Sequence, residues 1–263
     1  MFGFPIADRP QGGQFKRNLL KSVIFQVKFE QSEEVVAGFK AKRETLKNKL
    51  PITNPISQNF AEVRFEKDKT PIVQTANSPT HGYEFKTADN HKTLVVTEDT
   101  LSYTIAGPSY QNFSVAISEI KRDFFSILQE CHVLKFNRVA IRKINLIEPI
   151  DLTLSNKDLL LVAFNEDLVH NITSLPDITR VASGVTNVTM ENTDKRLKVA
   201  YGLLAPIQMK GKKQILLDID LFFFNQNVPL NVIEVKWTEI NDEIFNIFNW
   251  AISPELRADL LPD

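Results

Sequence analysis

Residues 136–149, FNRVAIRKINLIEP, constrain the fold most, because charged side chains interrupt an otherwise apolar, strand-like segment. A charge inside a sheet costs free energy unless it is paired or used for binding. With the two-residue period of a strand, one face comprises Val139, Ile141, Lys143, Asn145 and Ile147. The other face comprises Arg138, Ala140, Arg142, Ile144 and Leu146. Each face is apolar at one end and polar at the other. This pattern predicts a strand that leaves a two-sided core, or a bulge near Arg142 and Lys143 that exchanges the faces.

A second strand-like segment, residues 214–224 (QILLDIDLFFF), carries the opposite charge. Asp218 and Asp220 share one face and lie roughly 7 Å apart along a strand. They can pair with Arg138 and Arg142 of a neighbouring strand, where arginine geometry favours carboxylates. They can also bind a divalent cation or act as an acid and base pair.

Ion pairing is the favoured interpretation, because two carboxylates alone supply too few oxygen ligands for a divalent cation. A polar groove that recognises an anionic or peptide partner is the other binding hypothesis. The candidate binding site or buried polar network therefore consists of Arg138, Arg142, Lys143, Asn145, Asp218 and Asp220. We expect no cofactor and no metal site.

The remaining periodicity predicts an α+β fold, with antiparallel sheet and long amphipathic helices packed across it. Strands are expected at 23–29, 60–66, 83–87, 93–97, 101–105, 179–191, 195–206 and 214–225. Helices are expected at 32–50, 112–130, 157–172 and 239–252, with Ser253 capping a short last turn. Residues 1–18 are expected to form a flexible or loosely docked arm, and residues 19–263 a single domain. The halves 19–150 and 151–263 each contain a meander followed by a long helix, so we expect them to be similar.

Composition excludes several classes of protein. The net charge of −1 gives no global attraction to nucleic acid or anionic membrane. The single cysteine, Cys131, excludes an intrachain disulfide framework and fits a reducing cytoplasm. No segment reads as a signal peptide or a membrane span, and no phosphate-binding glycine loop or H-E-x-x-H motif is present.

A basic cluster marks the end of the first predicted helix and consists of Lys40, Lys42, Arg43, Lys47 and Lys49. Cations near a helix C-terminus interact favourably with the helix dipole, so a solvated helix face is the favoured interpretation. Nucleic-acid binding through this cluster, together with Lys210, Lys212 and Lys213, is the alternative.

Residues 138–145, RVAIRKIN, resemble the R-x-G-L-R-Y-x-N strand of a sporadically distributed prokaryotic family of mainly unknown function. Arg138, Arg142 and Asn145 match this pattern, whereas Ala140 replaces its glycine and Lys143 its aromatic residue. The segment LLDID is similar to the family's L-D-x-D strand, and Tyr110 to a tyrosine that leads into a long helix. The resemblance covers most of the chain from Val23 onward.

The resemblance implies no established chemistry. The patchy distribution of the family is similar to that of prokaryotic defence or toxin–antitoxin components, which is an argument by analogy. The leading hypothesis is a non-enzymatic, cytoplasmic binding or interaction protein whose partner is another protein and not a membrane. The alternatives are a divalent-metal-dependent nuclease or phosphoesterase that uses Asp218 and Asp220, and a nucleic-acid-binding protein.

Overall fold

In the described part of the chain, nine strands form one antiparallel sheet, in the order β2-β3-β4-β5-β1-β6-β9-β8-β7. The computed structural model describes residues 1–10, 15–64, 72–148, 154–175, 177, 181, 183–204 and 213–261. The strands are β1 Leu20–Lys28, β2 Ile52–Arg64, β3 Ile72–Lys86, β4 Lys92–Thr97, β5 Thr100–Ala106, β6 Lys135–Ile147, β7 Gly184–Glu191, β8 Lys195–Leu204 and β9 Gln214–Pro229.

Eight α-helices accompany the sheet in the described part of the chain. They are α1 Glu33–Ala41, α2 Arg43–Lys47, α3 Phe113–Ile120, α4 Ser126–Glu130, α5 Asn156–Ala163, α6 Glu166–Thr173, α7 Ile233–Ala251 and α8 Pro254–Leu260. A π-helical turn, Lys121–Phe125, joins α3 to α4. No helix among the described residues has the length and apolar character needed to cross a membrane.

The helices pack on one face of the sheet, which we call the helix face. Paired residues that cross the sheet from β3 to β8 on this face are buried, namely Phe85, Leu94, Tyr103, Phe25, Ile141, Leu221 and Leu197. Aromatic contacts from three different helices reach it, as Phe39 meets Phe85, Trp237 meets Phe25 and Phe124 meets Tyr103. The structure therefore has two layers, and the α+β prediction is confirmed.

The opposite face of the sheet, the polar face, carries mixed and partly exposed side chains. A row of paired residues across its centre consists of Thr104, Ile24, Arg142, Asp220 and Lys198. Hydrophobic and charged residues thus alternate along the central strands, as expected for a sheet with one buried face.

The two halves of the chain, residues 19–150 and 151–263, meet where β6 of the first half pairs with β9 of the second. In the first half the meander β3-β4-β5 is followed by α3 and α4, and in the second half the meander β7-β8-β9 is followed by α7. The expected similarity of the halves agrees with this order of elements, but an internal repeat stays a prediction.

Two of the predicted long helices are interrupted. The helix over 32–50 breaks into α1 and α2 at Lys42, where its apolar stripe has a gap and where the side chain pairs with Glu130. The helix over 157–172 breaks because Phe164 is buried in an extended conformation and bridges to Ile252. Asn165 then caps α6. The predicted Ser253 cap is confirmed, since its hydroxyl accepts a hydrogen bond from the Leu256 backbone N–H.

We predict that Trp237→Ala lowers the free energy of unfolding by about 3–5 kcal/mol, as expected for a truncated core tryptophan. Trp237 is fully buried, packs against Phe25 and Phe125, and donates its indole N–H to the Ala140 carbonyl at 3.1 Å. Trp250→Ala is the control, because Trp250 is only partly buried. Urea denaturation followed by circular dichroism measures both; equal losses would contradict the central position of Trp237.

Candidate functional site

The six predicted site residues, four on β6 and two on β9, lie on both faces of the sheet. Its register with β9 is continuous from Arg138 to Ile147, and the irregularity lies between Phe136 and Arg138. The prediction of a bulge near Arg142 and Lys143 is therefore wrong. The arginines and aspartates lie on the polar face, whereas Lys143 and Asn145 lie on the helix face.

The predicted ion pairs are present on the polar face. The Arg142 guanidinium donates to both carboxylate oxygens of Asp218, with Nε–Oδ1 at 2.9 Å and Nη2–Oδ2 at 2.5 Å. Arg138 Nη2 lies 3.4 Å from Asp220 Oδ2. Hydrogen bonding to Asp218 raises the pKa of Arg142, while burial raises the pKa of Asp220 against the opposing attraction of Arg138. Asp218 thus forms the closer ion pair, whereas burial of Asp220 opposes the ionisation of its carboxyl group.

Arginines also cover an aromatic ring on the polar face. The Arg138 guanidinium carbon lies 3.5 Å from the centre of the Phe222 ring, and the Arg196 carbon lies 5.8 Å from the same ring. Phe222 lies on the polar face, where it pairs with Ala140, yet it is only 2% exposed. Cation–π stacking therefore shields an apolar side chain on this face.

These contacts favour the ion-pair interpretation of Asp218 and Asp220 over a metal site. Both carboxylates face arginines, and hard cations require several oxygen ligands. In the described part of the chain, no cluster of three or more His, Cys, Asp or Glu residues could hold a metal ion.

The N-terminal arm, residues 1–18, lies along α7 in its described parts. The Phe2 backbone N–H donates to Glu243 Oε1 at 2.7 Å, and the Ala7 N–H donates to Asn246 Oδ1 at 3.1 Å. Glu243 is buried and also pairs with Lys195 at 2.9 Å. The arm therefore docks onto α7 through hydrogen bonds from its backbone N–H groups to side chains of the helix.

A cavity of about 240 Å³ lies between this arm, the start of α3, strand β6 and α7; we call it the arm cavity. Its polar lining comprises Arg9, Arg17, Asn18, Tyr110, Gln111, Asn112, Lys143, Asn145 and Asn241. Its apolar lining comprises Phe15, Leu19, Leu20, Phe113, Ile244, Phe245, Phe248 and Leu260. Among these described residues, three are cationic and none is acidic. The predicted residues Lys143 and Asn145 thus meet in one site, apart from the other four.

Lys143 is the central cation of the arm cavity. Its Nζ donates to Asn241 Oδ1 at 2.8 Å, and no carboxylate of the described residues lies within ion-pair distance of it. Burial and the nearby charge of Arg9 together lower the pKa of Lys143 from 10.5 to about 8, while Asp242 opposes the shift. Desolvation in the cavity therefore disfavours the charged form of the ammonium group.

Two buried asparagine side chains form part of the polar end of the cavity. Asn145 is 4% exposed and donates from Nδ2 to the Leu217 carbonyl at 3.1 Å. Asn241 is 5% exposed and accepts from Lys143. Sequence analysis missed Asn241, although its place between Ile240 and Ile244 on the apolar stripe of α7 marks it as a buried polar residue.

Arg17 brings a second cation to the cavity from the arm. Its Nη2 pairs with Asp259 at 2.8 Å, but its Nε is buried and has no hydrogen-bond partner among the described residues. Sequence analysis missed Arg9 and Arg17 as well, because nothing in the sequence indicates where a Pro- and Gly-containing arm will lie.

The basic cluster at the end of the first helix is partly neutralised. Lys42 pairs with Glu130 at 3.0 Å, Lys47 with Glu44 at 2.9 Å and Lys49 with Asp123 at 2.5 Å. Lys40 and Arg43 are exposed. Lys213 donates to the Leu154 carbonyl; Lys210, Lys212 and the turn predicted there lie outside the described residues.

Comparison with models of known protein families finds no match, and comparison with characterised proteins finds no significant similarity. The candidate site therefore has to be interpreted from its own geometry.

We predict that Asp218→Asn lowers the free energy of unfolding by about 1 kcal/mol, because it weakens the hydrogen bonds to the partly exposed Arg142. Asp220→Asn should cost less. Burial raises the pKa of Asp220, so folding opposes its ionisation, and removing the charge recovers part of that free energy. Chemical denaturation at pH 7 compares the two variants, and a larger loss for Asp220→Asn would refute this ranking.

We predict that Lys143→Met raises the free energy of unfolding at pH 7 by about 1–3 kcal/mol, because it removes a partly buried charge that has no carboxylate partner among the described residues. The folded-state pKa of Lys143, about 8, lies below its ordinary value of 10.5. The cost is therefore fully present below pH 8 and disappears as the pH rises toward 10.5. The gain from Lys143→Met should shrink over the same range.

The control for this variant is Lys198→Met, which removes an exposed lysine from the polar face. Its stability should change little at either pH. Denaturation curves at pH 7 and pH 10 provide the comparison, and a destabilised Lys143→Met protein would mean that Lys143 is part of the scaffold.

Proposed function

We propose that this chain is a non-enzymatic binding protein whose ligand occupies the arm cavity. The observation that supports the proposal is the convergence of Lys143, Asn145 and Asn241 on one cavity that also has an aromatic wall. Ligand sites are typically concave and mostly apolar, with a few polar groups that fix orientation. A cavity of this kind with a perturbed titratable group is the preferred candidate for a binding site.

Energetics support a functional role for Lys143. A protein that needed only packing here would place an apolar residue at this position, because a partly buried ammonium group without a carboxylate partner costs stability. Natural proteins keep such unfavourable groups mainly where binding or catalysis uses them. Lys143 stands at the aromatic position of the family pattern, so its charge also distinguishes this chain from the proteins that it resembles.

The alternatives have less support. A divalent-metal-dependent nuclease or phosphoesterase would need Asp218 and Asp220 free to bind the metal, but both face arginines. Nucleic-acid binding through the basic cluster would have to compete with three of its ion pairs. A cytoplasmic location, a protein partner and a role in prokaryotic defence or a toxin–antitoxin module stay proposals that rest on composition and on the resemblance.

We predict that filling the arm cavity abolishes ligand binding. Leu20→Trp enlarges a partly exposed residue in the wall of the cavity, whereas Val188→Trp makes the same kind of change on the exposed strand β7. Thermal shift assays with benzoate, phenyl phosphate, benzamide and benzylamine measure binding to each protein.

At least one of the four compounds should raise the Tm of the wild-type chain and of Val188→Trp but not of Leu20→Trp. The proposal fails if none of them raises the Tm of the wild-type chain, or if the shift persists in Leu20→Trp.

A further inference from the structure

We propose that the arm cavity takes a small organic anion, with its carboxylate or phosphate group at Lys143 and an apolar body against the aromatic wall. The inference rests on the proposed binding function and adds the chemical class of the ligand. Two observations support it. Hydrogen-bond donors in the cavity outnumber the described contacts that use them, and the described lining contains no acidic residue.

The polar end of the cavity has spare hydrogen-bond donors. An ammonium group has three N–H donors, and among the described residues Lys143 uses one of them, in its contact with Asn241. The buried Nε of Arg17 adds another donor without a described partner. Carboxylates and phosphates present only acceptors, and hydrogen bonds between charged groups are the strongest that such donors form.

Charge balance leads to the same class of ligand. The cations of the cavity lining are Lys143, Arg9 and Arg17, and the acidic residues that pair with the two arginines lie outside it. Asp242 pairs with Arg9, and Asp259 pairs with Arg17 at 2.8 Å. Lys143 is the cation without such a pair, so an anion in the cavity would supply the charge that the protein does not.

The aromatic part of the lining favours an apolar body for the rest of the ligand. Phe15 packs against Phe245 and Phe248 with ring centres 6.0 and 5.6 Å apart, so the arm and α7 form one aromatic surface. A volume of about 240 Å³ corresponds to on the order of eight water molecules of liquid. A single ring or a short aliphatic chain with one acidic group fits these limits.

The experiment uses probes that share one ring and differ in the polar group: benzoate, phenyl phosphate, benzamide and benzylamine. Dissociation constants are measured by isothermal titration calorimetry with the full-length chain at pH 7 and low salt. Benzoate or phenyl phosphate should bind at least ten-fold tighter than benzamide, and benzylamine should bind most weakly. The better of the two anions identifies the acidic group, and acetate and inorganic phosphate test the need for the ring.

Variants locate the anion. Lys143→Met should weaken binding of the preferred anion at least ten-fold, while Lys198→Met on the polar face should leave its Kd unchanged. Raising the pH from 7 to 10 should weaken binding to the wild-type chain, because Lys143, whose charged neighbours are Arg9 and Asp242, loses its proton. In Lys143→Met this dependence on pH should be absent.

Equal affinity for benzoate and benzamide, with both lost in Leu20→Trp, would overturn the anionic class and leave the binding function intact. Acetate or inorganic phosphate binding as tightly as the ring compounds would overturn the apolar body. Benzoate binding that persists in Leu20→Trp, or no binding of any probe to the wild-type chain, would remove the proposed function and this inference together.

Discussion

Side chains alternate across a β-strand, and β6 lies between β1 and β9 near the centre of the sheet. Its polar residues therefore serve two unconnected environments. Arg138 and Arg142 lie with Asp218 and Asp220 on the polar face, while Lys143 and Asn145 lie beneath the arm. A shift of one residue in the register of β6 would exchange these groups and bury two arginines among the helices. The register of β6 thus fixes both the ion-pair network and the arm cavity.

The two groups differ in how their charges are balanced. On the polar face each arginine has a carboxylate and Arg138 also stacks on Phe222, so the charges complete a sheet face with no further partner required. In the arm cavity the described hydrogen-bond partner of Lys143 is an amide oxygen. The polar face therefore balances its charges within the fold, whereas the described lining of the cavity contains no acidic residue to balance Lys143.

Much of the sheet could be predicted from the sequence, because strands with one buried face show their period directly. The period also placed Arg138 and Arg142 on one face, and opposite charge identified Asp218 and Asp220 as their partners. The arm cavity could not be predicted, because Arg9 and Arg17 belong to an irregular segment and Asn241 lies on a distant helix. Such contacts depend on tertiary packing, for which local periodicity carries no information.

Lys143 is a partly buried cation with no ion-pair partner among the described residues, and its own titration tests this most directly. Two-dimensional NMR of the lysine side chains, with Lys143→Met used for assignment, would measure the pKa of Lys143 with and without benzoate. We predict a pKa of about 8 in the free protein and a higher value with benzoate bound, because an anion favours the charged form. A pKa near 10.5 that does not change with benzoate would refute the proposed anion site.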